Sequence, residues 1–123
     1  MSGSASFPSL KTKTFTANLA QNAATYDLFT AQGNVLVKSI VLYTTVAGTD
    51  FTTAAFATND TTPVILLAAT IAANVTVGLQ LAQITTPFVL GNGKKARYTL
   101  VGDGSAGTVI AVVEYHNTSG DLI

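Results

Sequence analysis

From Lys11 onward the apolar positions of this chain recur every second residue, the period of a strand with one face on a core, and not at helical spacing. "KTKTFTANL" alternates lysine and threonine and reads as an edge strand whose lysines discourage edge-to-edge pairing. "ATYDLFTA" is a second strand, closed by a turn at Gln32 to Asn34. "VLVKSIVLYTT" is the strongest. Val35, Val37, Ser39, Val41 and Tyr43 face one way; Leu36, Lys38, Ile40, Leu42 and Thr44 face the other. Apolar residues on both sides predict a strand covered on both faces over part of its length. "AGTD" then turns the chain into "FTTAAFAT", and "NDTTP" turns it again at Pro63.

The stretch "VILLAATIAANVTVGLQLAQITTPFVL" is less plain. Its alanines and leucines tolerate a short helical piece around Leu66 to Ala73. Val64, Ile65, Thr70, Ile71, Val75, Thr76 and Val77 favour strand, no helix cap bounds the segment, and a polar loop is expected near Asn74. Two more strands follow, Lys95 to Val101 and Thr108 to Asn117, joined by a glycine loop and preceded by the turn signal Asn92-Gly93. The sum is about eight short strands with frequent turn signals, the pattern of an all-β fold. An antiparallel β-sandwich of jelly-roll type is the expectation. Residues 1–10 read as an N-terminal arm ahead of a single β-sandwich domain, residues 11–123.

Composition changes this picture in one respect. Only 10% of residues are charged, against roughly 25% in an average domain, while 48% are hydrophobic and mean hydropathy is +0.44. A charge-poor apolar surface suits a subunit partly covered by copies of itself or by a partner. Six basic and six acidic residues cancel, so neither nucleic acid nor an anionic membrane is an expected partner. The longest apolar run, Val64 to Ala73, falls well short of the about 20 residues a spanning helix needs. The start, "MSGSASFPSL", has no secretory pattern, which leaves the sequons at Asn59, Asn74 and Asn117 without weight. The absence of cysteine excludes disulfides, thiolate catalysis and cysteine metal sites.

Candidate chemistry is sparse. "VGDGSAGTVI" spaces Gly102, Gly104 and Gly107 as a dinucleotide-binding loop does. Such a loop must open a helix whose N-terminus holds the pyrophosphate. "TVIAVVEYH" alternates as a strand, so the glycines are assigned to a hairpin needing positive φ. "GNGKK" fails as a P-loop, with Phe88 where the first glycine belongs and Lys95 where Ser or Thr belongs. Lys94, Lys95 and Arg97 form a basic cluster, read as a solvated loop or as a polar patch for a protein partner. His116 is the one histidine; Ser119 and Asp121 follow it, but a strand end and tail do not preorganise a triad. Asp27, Asp50, Asp60, Asp103, Glu114 and Asp121 are scattered singly, so no metal site is expected. Tyr26, Tyr43, Tyr98 and Tyr115 sit inside strand patterns, which assigns them to packing before sugar stacking. The chain is expected to have no enzymatic activity, no cofactor and no small-molecule substrate.

Taken whole, a Ser/Gly arm, "TKTFTANLAQNAATYDLFTA", "VLVKSIVLYTT", a Thr/Ala-rich middle and "TPFVLGNGKKARYTLVGDGSAGTVIAVVEYHN" resemble the small β-sandwich virion proteins of tailed bacteriophages. The likeness is greatest to capsid decoration (cement) proteins. It lies in strand order, size and composition, and carries no diagnostic motif. It implies a homotrimer on the outside of the capsid, made in the host cytoplasm, with the major capsid protein as partner. An arm reaching neighbouring capsid subunits would be anchored by Phe7, Pro8 and Leu10, with Lys11 and Lys13 beside them. A low-copy neck, head-fibre or tail component, or a carbohydrate-binding module at a tail tip, are the alternatives.

Overall fold

The computed structural model describes residues 10–71, 76–117 and 120–123. These form ten strands: β1 (Leu10–Asn18), β2 (Thr25–Gln32), β3 (Val35–Thr49), β4 (Thr53–Thr58), β5 (Ile65–Ile71), β6 (Gln80–Ile84), β7 (Phe88–Leu90), β8 (Lys95–Val101), β9 (Ala106–His116) and β10 (Asp121–Leu122). One sheet runs β1-β9-β3-β6, with β7 also on β3; the other runs β10-β2-β8-β4-β5. Every pairing is antiparallel. Most successive strands lie in opposite sheets, so each sheet is knitted from strands distant in sequence. That is the double Greek key of a jelly roll.

The count of about eight strands requires correction to ten among the described residues. The eight-strand frame is intact, but its sixth member is divided. Pro87, which has no N–H to give a ladder, separates β6 from β7, and both pair with β3. The tenth strand, β10, adds to the free side of β2. The segment that tolerates helix is strand β5, while the loop expected near Asn74 lies outside the described residues.

Strand β3 is not covered on both faces as its pattern suggests. Val37 pairs with Tyr115 and Ser39 with Glu114, leaving Lys38 as an extra residue. A bulge of one residue reverses the phase of every side chain after it. Val35 and Val37 therefore enter the core before it, and Ile40, Leu42 and Thr44 after it. Leu36, Val41 and Tyr43 stay half-buried on the outer face. Strand β9 needs no such device, alternating inner and outer residues without a break along its eleven positions.

Between the sheets lies one core. Val35, Val37, Ile40, Leu42, Val109, Val113 and Tyr115 from the first sheet meet Phe29, Phe56, Ala96, Tyr98 and Leu100 from the second. Phe15 on β1 and Phe29 on β2 pack with tilted rings at 4.9 Å between centroids, joining the sheets where β1 and β2 border each other. A fully buried aliphatic or aromatic side chain contributes about 1.5–3 kcal/mol, so this layer holds the sandwich shut.

Candidate partner-binding surface

The glycine loop does not close a hairpin. Strands β8 and β9 lie in opposite sheets, and residues 102–105 carry the chain across the sandwich. This corrects the hairpin assignment, because pairing is decided by the jelly-roll order and not by adjacency in sequence. Gly102 does take a positive φ of 80°, and Gly107, already inside β9, takes 136°. Gly104 has another reason: a Cβ there would stand 2.0 Å from the carbonyl oxygen of Leu19. The loop is pressed against residues 19–23. Gly104 N–H donates to Gln21 O at 3.0 Å, and Ala23 N–H to Asp103 Oδ1 at 3.0 Å.

The second glycine motif is a turn. Lys94 N–H donates to Gly91 O at 2.9 Å, and Gly93 has φ 78°, the arrangement of a type II turn. Asn92 Oδ1 accepts from Gly33 N–H, and Asn34 Oδ1 from Asn92 N–H, which fastens this turn to the one between β2 and β3.

The basic cluster beside it is compensated. Asp27, directly across from Arg97 in the β2–β8 ladder, accepts from Lys95 Nζ and Arg97 Nε at 2.9 Å each. Lys94 Nζ lies 4.0 Å from Asp60. The hydrogen bond from Lys95, with Arg97 in support, holds the Asp27 carboxyl below its ordinary range. Two of the cluster's three charges thus share one carboxylate.

Of the five residues expected to contact a capsid, Phe7 and Pro8 lie outside the described residues. Leu10 is 46% exposed, and Lys11 is exposed beside it. Lys13 is engaged within the chain: its ammonium donates to Leu122 O at 2.7 Å and lies 3.4 Å from Asp121 Oδ1. Tyr115 Oη donates to the same Asp121 oxygen. Burial, with Asp121 beside it, raises the Tyr115 hydroxyl to about 12, and the bond from Tyr115 lowers Asp121. These residues clasp β10 to β1 across the side of the sandwich. The clasp is invisible in the sequence, since β10 is two residues long; "DLI" after a polar run was its only trace.

Among the described residues no catalytic set comes together around His116. Asp121 is committed to Tyr115 and Lys13, and Ser119 lies outside the described residues. Among the described residues no three metal-capable side chains converge and no pocket opens. Tyr98 and Tyr115 are buried in the core, and Tyr26 stacks on Tyr98 at 5.5 Å.

The surface that remains is the free side of β1. Leu19 N–H donates to Gly107 O at 2.9 Å, which fixes the alternation. Odd-numbered residues of β1 direct their backbone groups to β9, and Leu10, Thr12, Thr14 and Thr16 direct theirs outward. All four are exposed. Asn18 N–H ends the open run by donating to Tyr98 Oη at 3.3 Å.

No family model and no curated protein matches the chain. Among solved structures it is similar in fold to a chain of the acid-stable capsid of Helicobacter pylori bacteriophage KHP30, at TM-score 0.61 and 13% identity. The match covers 95% of this chain and 98% of that one. The nucleoplasmin-like N-terminal domain of Drosophila FKBP39 aligns over 89% of this chain and 94% of its own, at TM-score 0.36 and 12% identity.

Proposed function

We propose that this chain is a non-enzymatic structural protein of a phage virion that binds the outside of the capsid and stabilises it. One observation carries the reading. The chain matches a phage capsid component over nearly its whole length and nearly all of that component, so the two are of similar size as well as fold. The charge-poor composition supports it, because a subunit covered by neighbours has little need of a charged surface. Ile65, Ile71 and Val101, each more than half exposed on the outer face of β5 and β8, are the apolar surface that a homotrimer would cover.

The mechanism is mass action. A protein that binds the assembled shell and not its separated subunits stabilises the shell by its binding free energy. About 4–8 kcal/mol at each site, the range of millimolar to micromolar binding, sums over many symmetric copies.

The deciding experiment is the copy number of this protein per purified virion, measured against the major capsid protein. A ratio fixed by the capsid lattice establishes decoration. A handful of copies moves the protein to the neck, fibre or tail, and absence from the particle overturns the virion role.

A further inference from the structure

The edges of the two sheets differ in how well they are protected. Strand β5 changes register twice against β4, and β6 changes once against β3. Strands β7 and β10 have three and two residues. Bulges and shortness both spoil an edge as a template for another strand. Strand β1 has neither: nine consecutive residues pair with β9 without a register shift. Its outward side offers the N–H and C=O groups of Leu10, Thr12, Thr14 and Thr16, all on exposed residues.

What guards this edge is charge. Lys11 and Lys13 lie on its inner side, and the ammonium of Lys13 is satisfied by Leu122 O and Asp121. Lys11 is exposed and makes no ion pair among the described residues. Like charges on paired strands repel, so a second copy of β1 is disfavoured, while a strand bearing carboxylates is favoured.

We propose that β1 receives an extended, acidic segment of a protein partner as an added strand, held by the outward backbone groups of Leu10, Thr12, Thr14 and Thr16 and by a carboxylate on Lys11. This is recognition by strand addition, in which main-chain hydrogen bonds hold the segment and the side chains select it. It rests on the virion reading only for the partner's identity, a capsid subunit.

Thr14→Pro is the informative substitution. Its lost N–H points away from β9, the position where an edge strand tolerates proline. Thr14→Val keeps that N–H and serves as the control. Amide hydrogen exchange of the full chain, free and on phage particles, should slow at residues 10–17 upon attachment. Thr14→Pro and Lys11→Glu should each weaken attachment about tenfold, the order expected for one or two hydrogen bonds or a lost charge pair, with Thr14→Val unchanged.

The edge is also read without particles. A synthetic peptide of alternating valine and glutamate, at millimolar concentration, should shift the amide resonances of Leu10, Thr12, Thr14 and Thr16. Thr14→Pro should abolish the shifts, and a lysine counterpart of the peptide should not produce them. A glutamate peptide that leaves these resonances in place overturns the proposal, as does particle attachment that Thr14→Pro does not weaken. Exchange at residues 10–17 that slows with protein concentration alone gives the edge to a second copy, and also overturns it. Failure of the parent chain to attach to particles, with the peptide shifts intact, overturns only the virion reading.

Discussion

Thr44 is 1% exposed, and its hydroxyl finds no hydrogen-bond partner among the described residues. A buried hydroxyl without a partner costs about 1–3 kcal/mol. Thr44→Val, which keeps the shape and removes the hydroxyl, should raise stability by about 1 kcal/mol in chemical denaturation. The glycines divide by physical cause. Gly93 has open space around its missing Cβ and only a positive φ to protect, so Gly93→Ala should cost about 1–2 kcal/mol. At Gly104 a Cβ meets the Leu19 carbonyl oxygen at 2.0 Å, and backbone must move. Gly104→Ala should therefore cost clearly more, which paired denaturation curves will show. The sequence marks both glycines equally; only the approach of residue 19 separates them.

At the scale of the element, β10 is a two-residue strand kept in place by side chains as much as by its ladder. Leu122 is fully buried, and the main chains of Thr30 and Ile123 exchange hydrogen bonds at 2.8 and 2.9 Å. The Asp121 carboxyl is lowered from 3.8, first by the bond from Tyr115, then by Leu122 N–H and Lys13. A lowered carboxyl contributes stability that is full above its unfolded value and is lost as pH falls through and below that value. Exchange protection of residues 121–123 should thus fall as pH drops below about 4, and Asp121→Asn should flatten that dependence. Tyr115 works in the opposite direction. Its hydroxyl is raised from 10.0 to about 12, so its contribution is full below 10 and is lost as pH climbs toward 12. Ultraviolet titration should find Tyr115 ionising late, and earlier in Asp121→Asn. The basic cluster is an element-scale case of the same kind. Lys94, Lys95 and Arg97 are legible in the sequence as a patch, but Asp27, far away along the chain, was placed opposite them by the β2–β8 register. Exposed pairs of this sort are worth about 0–1 kcal/mol, so Asp27→Ala should leave stability nearly unchanged while uncovering two cations.

Over the whole molecule, strand β1 begins at Leu10, the last residue of the expected arm. If the arm anchors the protein on a shell, removing residues 1–10 should abolish attachment to particles while leaving the sandwich folded, as circular dichroism and sedimentation would show. Unchanged attachment would remove Phe7 and Pro8 from the binding surface. The same truncation cuts the exposed edge only at its first residue, so its outcome is separable from that of Thr14→Pro.

The sequence by itself determined the class of the fold, because period-two alternation admits only strands, and the turn residues divide them into short lengths suited to a sandwich. It also carried the absence of cysteine chemistry and the near-balance of charge. The tertiary structure alone decided that β8 and β9 belong to opposite sheets, that Lys38 shifts the phase of β3, and that Tyr115, Asp121 and Lys13 meet. It also left β1 as the one long unbroken edge among the described strands. The physical reason is common to all four. Alternation is a local property of the backbone, written into neighbouring residues. Register and sheet order join residues distant in sequence, and the packing of the whole core selects them.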